Sequence, residues 1–269
     1  MNKEDPIGIF DSGIGGLTVA NAVSKQLPNE QIIYFGDTTH LPYGDKSTEA
    51  IQHYSLHIAD FLLGKRCKLI LIACNTASAA AFDIVKTHIG DKVPVMNVID
   101  PVVEAVAANT SINKIGIIGT KGTIKSGVYE HKLKTLRPDL ESVSLATALL
   151  ASMIEAGFYN NSVSQAVINS YLAYPDFSDI DGMILACTHY PLIEKEISSY
   201  FNHHVKIFES TNIVATRVKE KLAELNIMND ERRNTHHFFV SDFTESFEQT
   251  TKLFFQEKIH LEHFGIWDE

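Results

Sequence analysis

Cysteine is scarce: the 269 residues hold three, Cys67, Cys74 and Cys187, too few for a disulfide framework, so reduced thiols are expected. A basic stripe is lacking too. The net charge is −10 with no long like-charge block, which argues against a nucleic acid or an anionic membrane as partner. No apolar run approaches the roughly 20 residues that span a bilayer, and the charged start is followed by only a short apolar stretch. A soluble, cytoplasmic protein is expected. Nothing reads as disordered or fibrous, and 45% apolar content over this length allows one large or two modest cores. Ligand pairs with metal-site spacing, such as Cys-x-x-Cys, are missing as well.

What is present is a matched pair of cysteine turns. Lys68-Leu-Ile-Leu-Ile-Ala-Cys74-Asn75-Thr76 and Gly182-Met-Ile-Leu-Ala-Cys187-Thr188-His189-Tyr190-Pro191-Leu192 each run from an apolar, β-prone segment into a polar turn and then a helix-prone stretch. Each sulfur is therefore expected at the carboxyl end of a buried parallel strand, where open α/β folds place their chemistry. The thiols lie 113 residues apart, and Ile7-Gly-Ile-Phe10 reappears 108 residues later as Ile115-Gly-Ile-Ile118. This weak internal repeat predicts two similar parallel-sheet, flavodoxin-like α/β domains related by pseudo-symmetry, with the active site in the cleft between them.

Strand-like segments fall at 7–10, 31–35, 69–73, 93–98, 114–119, 142–145, 183–186 and 205–208. Helix-like segments at 17–27, 47–63, 78–88, 101–108, 127–136, 162–173 and 192–200 separate most of them, the alternation of a parallel sheet with crossover helices. After Thr211 the pattern reads helix (213–225), strand (236–240), helix (247–255). The expected division is a discontinuous first domain of residues 1–98 plus 210–269 and a second of 99–209.

Asp11-Ser12-Gly13-Ile14-Gly15-Gly16 follows a strand and precedes a helix, and Asp37 ends the next strand, which invites comparison with the dinucleotide fingerprint. The glycine spacing is wrong, and Asp11 puts a carboxylate where a phosphate would sit. A site loop, a nucleotide loop and a plain turn all remain open. Gly36-Asp37-Thr38-Thr39-His40-Leu41-Pro42-Tyr43-Gly44 is a second loop that is either a site loop or an ordinary turn.

A free thiol of pKa about 8.5 is only roughly 3% ionised at pH 7, and deprotonating it there costs on the order of 2 kcal/mol, which a helix amino end can offset. Two thiols facing one carbon from opposite sides can remove a proton from one face and deliver one to the other, inverting a stereocentre. That scheme needs one sulfur ionised and one protonated, with near-neutral pKa values at both. Asp11, Asp37, Glu155 and His189 are candidates to bias the proton; Ser12, Asn75, Thr76, Thr120 and Thr188 are candidates to hold carboxylate oxygens. The rival readings are buried structural cysteines, zinc on Cys74, Cys187 and His189, and a redox disulfide. Cys67 is expected to be packing, and His203-His204 and His236-His237 to face solvent.

Four motifs then point to a family. Ile9-Phe-Asp-Ser-Gly-Ile-Gly-Gly-Leu-Thr-Val19, Gly36-Asp-Thr38 with Pro42-Tyr-Gly44, Ala73-Cys-Asn-Thr-Ala-Ser78 and Cys187-Thr-His-Tyr-Pro-Leu192, in this order, closely resemble the bacterial glutamate racemases, members of the cofactor-independent aspartate/glutamate racemase family. The resemblance implies interconversion of L- and D-glutamate without pyridoxal phosphate, metal or nucleotide, supplying D-glutamate for peptidoglycan, in a homodimer. It further implies that Cys74 acts on the α-proton of D-glutamate and Cys187 on that of L-glutamate. Asp11 and His189 would assist the adjacent thiols, and Asp37 and Glu155 would be further site acids. Asp11, Ser12, Pro42, Tyr43, Gly44, Asn75, Thr76, Thr188 and His189 would contact substrate, with Thr120 added from the reading of the hydroxyls. Ala186 stands where the family usually has glycine, and Ile207-Phe-Glu-Ser210 departs from its Ile-Asp-Ser pattern. A racemase for another amino acid such as aspartate, and a non-catalytic binding module, are the alternatives.

Overall fold

A computed structural model describes residues 2–231 and 235–267. Among these described residues are ten strands and eleven α-helices, alternating for the most part. The first stretch runs β1 (Ile7–Asp11), α1 (Leu17–Gln26), β2 (Ile32–Gly36), α2 (Thr48–Gly64), β3 (Leu69–Ile72), α3 (Asn75–Ile89), β4 (Val95–Asn97) and α4 (Ile99–Ala107). The second runs β5 (Lys114–Gly119), α5 (Lys121–Lys125), α6 (Val128–Leu136), β6 (Glu141–Ala146), α7 (Leu150–Glu155), α8 (Ser162–Leu172), β7 (Gly182–Ala186), α9 (Glu194–Tyr200) and β8 (Lys206–Glu209). The chain closes with α10 (Ser210–Glu224), β9 (His237–Val240), α11 (Glu245–Phe255) and β10 (Leu261–His263).

Two all-parallel sheets result. One has six strands in the order β10-β9-β2-β1-β3-β4, the other four in the order β6-β5-β7-β8. The repeat hinted at by the sequence is visible in this order: β6-β5-β7-β8 reproduces β2-β1-β3-β4, with β5 in the place of β1 and β7 in that of β3. β1, β2, β3, β5 and β7 carry buried apolar side chains on both faces, as strands sandwiched between helix layers must. In each sheet the order reverses beside the central strand. Crevices open there, at the carboxyl ends of β1 and β3 and of β5 and β7.

Four local differences from the sequence reading have physical causes. The helix expected from residue 78 begins at Asn75, because Cys74 itself serves as its cap, its Sγ accepting the Ala77 amide at 3.4 Å. Helix α4 starts at Ile99, ahead of Pro101, because Asn97 Oδ1 accepts the amides of Ile99 (2.8 Å) and Asp100 (2.9 Å). The helix expected over 192–200 is split into a 3-10 turn, Tyr190–Ile193, and then α9. His236 and His237 are half-buried rather than exposed: Ile32 N–H donates to His236 Nδ1 (3.2 Å), and His237 pairs with Glu262 (2.9 Å). Cys67 is buried among apolar side chains, and its thiol is pushed up to about 12 by burial and by Asp5.

Candidate active site

The two crevices face one another across a single cavity that both Cys74 and Cys187 line. From the β1 and β2 loops come Ser12, Gly13, Leu41, Pro42, Tyr43 and Gly44, and from the start of α3 Asn75 and Thr76. Thr120 follows β5, Ala151, Ser152 and Glu155 lie on α7, and Thr188 and His189 follow β7. The Leu41–Pro42 peptide is cis. Of the residues singled out in the sequence, all but Asp11 and Asp37 reach the cavity surface.

The glycine loop owes its shape to contacts the sequence alone conceals. A Cβ at Gly15 would run into the His189 ring and the Thr188 hydroxyl, so glycine is what lets the first crevice close on the second. Thr18 Oγ1 donates to the Thr188 carbonyl (2.9 Å) and locks that approach. The Asp11 carboxylate, 1% exposed, turns back under the loop, where Oδ2 accepts the amides of Gly13 (3.2 Å) and Gly16 (2.9 Å). Two of the loop's amides, those of Gly13 and Gly16, are thus occupied by its own acid, which weighs against the nucleotide-loop reading. Asp11 Oδ1 is buried without a hydrogen-bond partner.

The two thiols have unlike surroundings. Cys74 caps α3, and its thiol donates to Ser12 Oγ at 3.6 Å. Burial and the Asp11 carboxylate nevertheless drive it up to about 12, against the lowering effect of the Ala77 amide and Ser12. The expectation of a near-neutral thiol at this position is thereby corrected. The helix end lowers the cost of ionisation less than burial and the adjacent negative charge raise it. Cys187 meets no α-helix end. Its Sγ lies 3.5 Å from His189 Nδ1, and His189 Nε2 lies 2.8 Å from Glu155 Oε1. Burial would lower the His189 pKa, but the Cys187 sulfur and Glu155 outweigh it and raise it well above the ordinary 6.5. The His189 ring therefore bridges the Cys187 sulfur and the Glu155 carboxylate.

Asp37 lies fully buried behind the wall and not on it. It accepts from Tyr43 Oη (2.7 Å), Ser241 Oγ (2.8 Å), Trp267 Nε1 (3.0 Å) and His40 Nδ1 (2.9 Å). The family motif implies a site acid here; the structure places Asp37 as an anchor for Tyr43. Opposite, Thr76, Thr120 and Thr123 hydroxyls close a triangle with sides of 2.8, 2.9 and 3.2 Å. Tyr129 Oη donates to Asn75 Oδ1 (2.7 Å), while Asn75 Nδ2 is buried without a partner. Sequence reasoning missed Thr123, Tyr129, Ser241 and Trp267, which touch the site only through other residues. It also missed Ala151 and Ser152, although both share a helical face with Glu155 at spacings of four and three, a signal that could have found them. Among the described residues, no three His, Cys, Asp or Glu side chains gather as a metal-ligand set.

Comparisons with known proteins agree with this architecture. The family model described as Asp/Glu/Hydantoin racemase matches residues 17–218. A glutamate racemase of Geobacter metallireducens is 40% identical over 94% of this chain and 93% of its own. One of Streptococcus equi is 37% identical over 97% and 98%. The crystal structure of glutamate racemase from Francisella tularensis, in complex with D-glutamate, superposes with a TM-score of 0.93 at 36% identity, covering 99% of this chain and 100% of that one. The glutamate racemase from Thermus thermophilus, in complex with β-chloro-D-alanine, gives 0.89 at 32% identity over 98% of both chains. With two mirrored crevices, a thiol in each and this degree of likeness along nearly its whole length, the chain belongs to the Asp/Glu/hydantoin racemase family.

Proposed function

We propose that the protein interconverts L- and D-glutamate by proton transfer at the α-carbon between Cys74 and Cys187, without a cofactor. The observation that carries this reading is that both thiols line one small cavity from opposite crevices. Relatives named glutamate racemase at 37–40% identity support the substrate. One thiolate takes the α-proton, the electron pair passes to the α-carbon and its carboxylate, and the opposite S–H returns a proton on the other face. Cys74 acts on D-glutamate and Cys187 on L-glutamate. His189, held between Cys187 and Glu155, exchanges its Nδ1 proton with the nearer sulfur. D-glutamate made in this way would serve peptidoglycan synthesis. Among the described residues no helix is long and apolar enough to cross a membrane. Residues 1–98 with 210–269 and residues 99–209 form the two domains in this reading, supported by the way the strands divide between the sheets. A homodimer completes it, and light scattering would read its mass.

Incubation with L-glutamate in heavy water tests the function: D-glutamate carrying deuterium at the α-carbon is expected. Product without label, or no product, would remove the two-base reading.

With burial and Asp11 holding the Cys74 thiol up at about 12, its ionisation at pH 7 is strongly unfavourable. The substrate's own ammonium group is the natural remedy, drawn toward the unpartnered Asp11 oxygen and placing a cation beside the sulfur. Asp11→Asn separates the two effects. Removing the negative charge should lower the Cys74 pKa in the free protein, read from the pH dependence of thiol alkylation, yet slow turnover about 10²-fold. Faster turnover would show that Asp11 only hinders.

Asn75 is expected to offer its amide N–H₂ to a substrate carboxylate because Tyr129 occupies its oxygen. Tyr129→Phe frees the amide to turn its carbonyl inward. The KM for glutamate should rise about tenfold, with kcat within about twofold. An unchanged KM would assign Tyr129 to packing.

A further inference from the structure

Asp37 is a fully buried carboxylate that the chemistry does not use, and the lone tryptophan of the chain is bonded to it. Its four side-chain donors come from two distant parts of the chain. Tyr43 and His40 belong to the loop after β2 and reach Oδ2, His40 Nδ1 lying also 3.1 Å from Oδ1, while Ser241 after β9 and Trp267 after β10 both reach Oδ1. These donors occupy both oxygens of the carboxylate, so its orientation is fixed. The Trp267 ring also stands edge-on to His40 (4.7 Å, 81°) and Tyr54 (5.4 Å, 73°), and Tyr54 stacks flat on His40 (3.9 Å, 10°). Only one member of this group, Tyr43, lines the cavity.

We infer that Trp267 is a positioning residue: through Asp37 it fixes Tyr43 against the substrate, and so sets affinity for glutamate and not the rate of proton transfer. The inference rests on the proposed function. Without the indole donor, Asp37 Oδ1 keeps Ser241 and the longer His40 contact (3.1 Å), and the carboxylate that holds the Tyr43 hydroxyl is less tightly oriented. Neither sulfur hydrogen-bonds to this network, so the chemical step is left alone.

The test uses the full chain. Trp267→Phe keeps a ring and removes the N–H; its KM for D- and L-glutamate should rise about three- to tenfold, the factor of one hydrogen bond, with kcat within about twofold. Tyr43→Phe should raise KM similarly, and the double variant should do no worse than the stronger single, because both act through one carboxylate. A KM unchanged in Trp267→Phe, or rises that multiply, would overturn the role. The unmutated protein gives a second reading. As the single tryptophan, Trp267 should change emission on addition of D-glutamate, half-maximally near the KM, and Tyr43→Phe should reduce that change by more than half. Emission indifferent to D-glutamate also overturns the role. Wild-type turnover with an unmoved Trp267→Phe KM removes only this inference, whereas a wild type that does not racemise glutamate removes the proposed function and the inference with it.

Discussion

Cys74→Ser and Cys187→Ser are each expected to cut racemisation about 10³-fold or more in both directions, measured by circular dichroism from either enantiomer. Each turnover needs a proton removed from one face and another delivered to the opposite face. A serine hydroxyl, far less acidic than a thiol, can do neither at neutral pH. Losing one sulfur therefore stops the net reaction whichever enantiomer is supplied. The two variants should differ in where they stop. With Cys187 intact, Cys74→Ser can still exchange the α-proton of L-glutamate with heavy water, and Cys187→Ser the α-proton of D-glutamate. Binding should survive, since the cavity-lining groups Ser12, Asn75, Thr76, Thr120 and Thr188 are untouched. A serine variant that keeps a tenth of wild-type turnover in both directions would be incompatible with two sulfurs sharing the work.

The second large effect concerns stability and lies at the other end of the strands. Lys68, at the amino end of β3, is 0% exposed; its ammonium lies 2.6 Å from Glu30 Oε2 and donates to the carbonyls of Lys3 (2.5 Å) and Ile227 (2.8 Å). Glu30, 2% exposed, accepts the Asn229 amide at 2.8 Å. One buried pair thus ties the start of the chain to the segment after α10. Lys68→Met leaves an uncompensated buried carboxylate and should cost about 3–5 kcal/mol, lowering Tm by on the order of 10 °C. Adding Glu30→Gln removes the stranded charge while keeping an acceptor for Asn229, and should restore most of the loss. Turnover at 25 °C should be unchanged in the double variant, because the cavity is at the carboxyl ends of the strands. A double variant as unstable as Lys68→Met would mean that the loss came from the two carbonyl bonds and not from the charge.

The unlike fates of three acids show how far the sequence could be followed. Glu155 was readable from a short motif and sits on the cavity wall, 2.8 Å from His189. Asp11 and Asp37 carried equally strong motifs, yet both are turned away from the cavity surface, one under the glycine loop and the other behind Tyr43. A motif reports that a carboxylate is needed near a strand end. Which way it points depends on the donors that reach it, and for Asp37 two of these, Ser241 and Trp267, are more than two hundred residues away. The pKa of Cys74 shows the same limit. Its helix amides were foreseeable from local sequence, but its burial and the closeness of Asp11 arise only when β1 and β3 lie side by side.

By itself the sequence determined what depends on local order: apolar segments that become buried parallel strands, the thiol at the end of β3 and of β7, the repeat that predicts two like crevices, and the motifs that mark the family. Only the tertiary structure decided that both thiols line one cavity, that Gly15 is glycine to admit the His189 ring, and that Asp37 is an anchor. Strand formation and capping are settled by neighbours within a few residues. A cavity's walls and the charge each side chain carries are settled by through-space packing and desolvation between segments that the chain order leaves far apart.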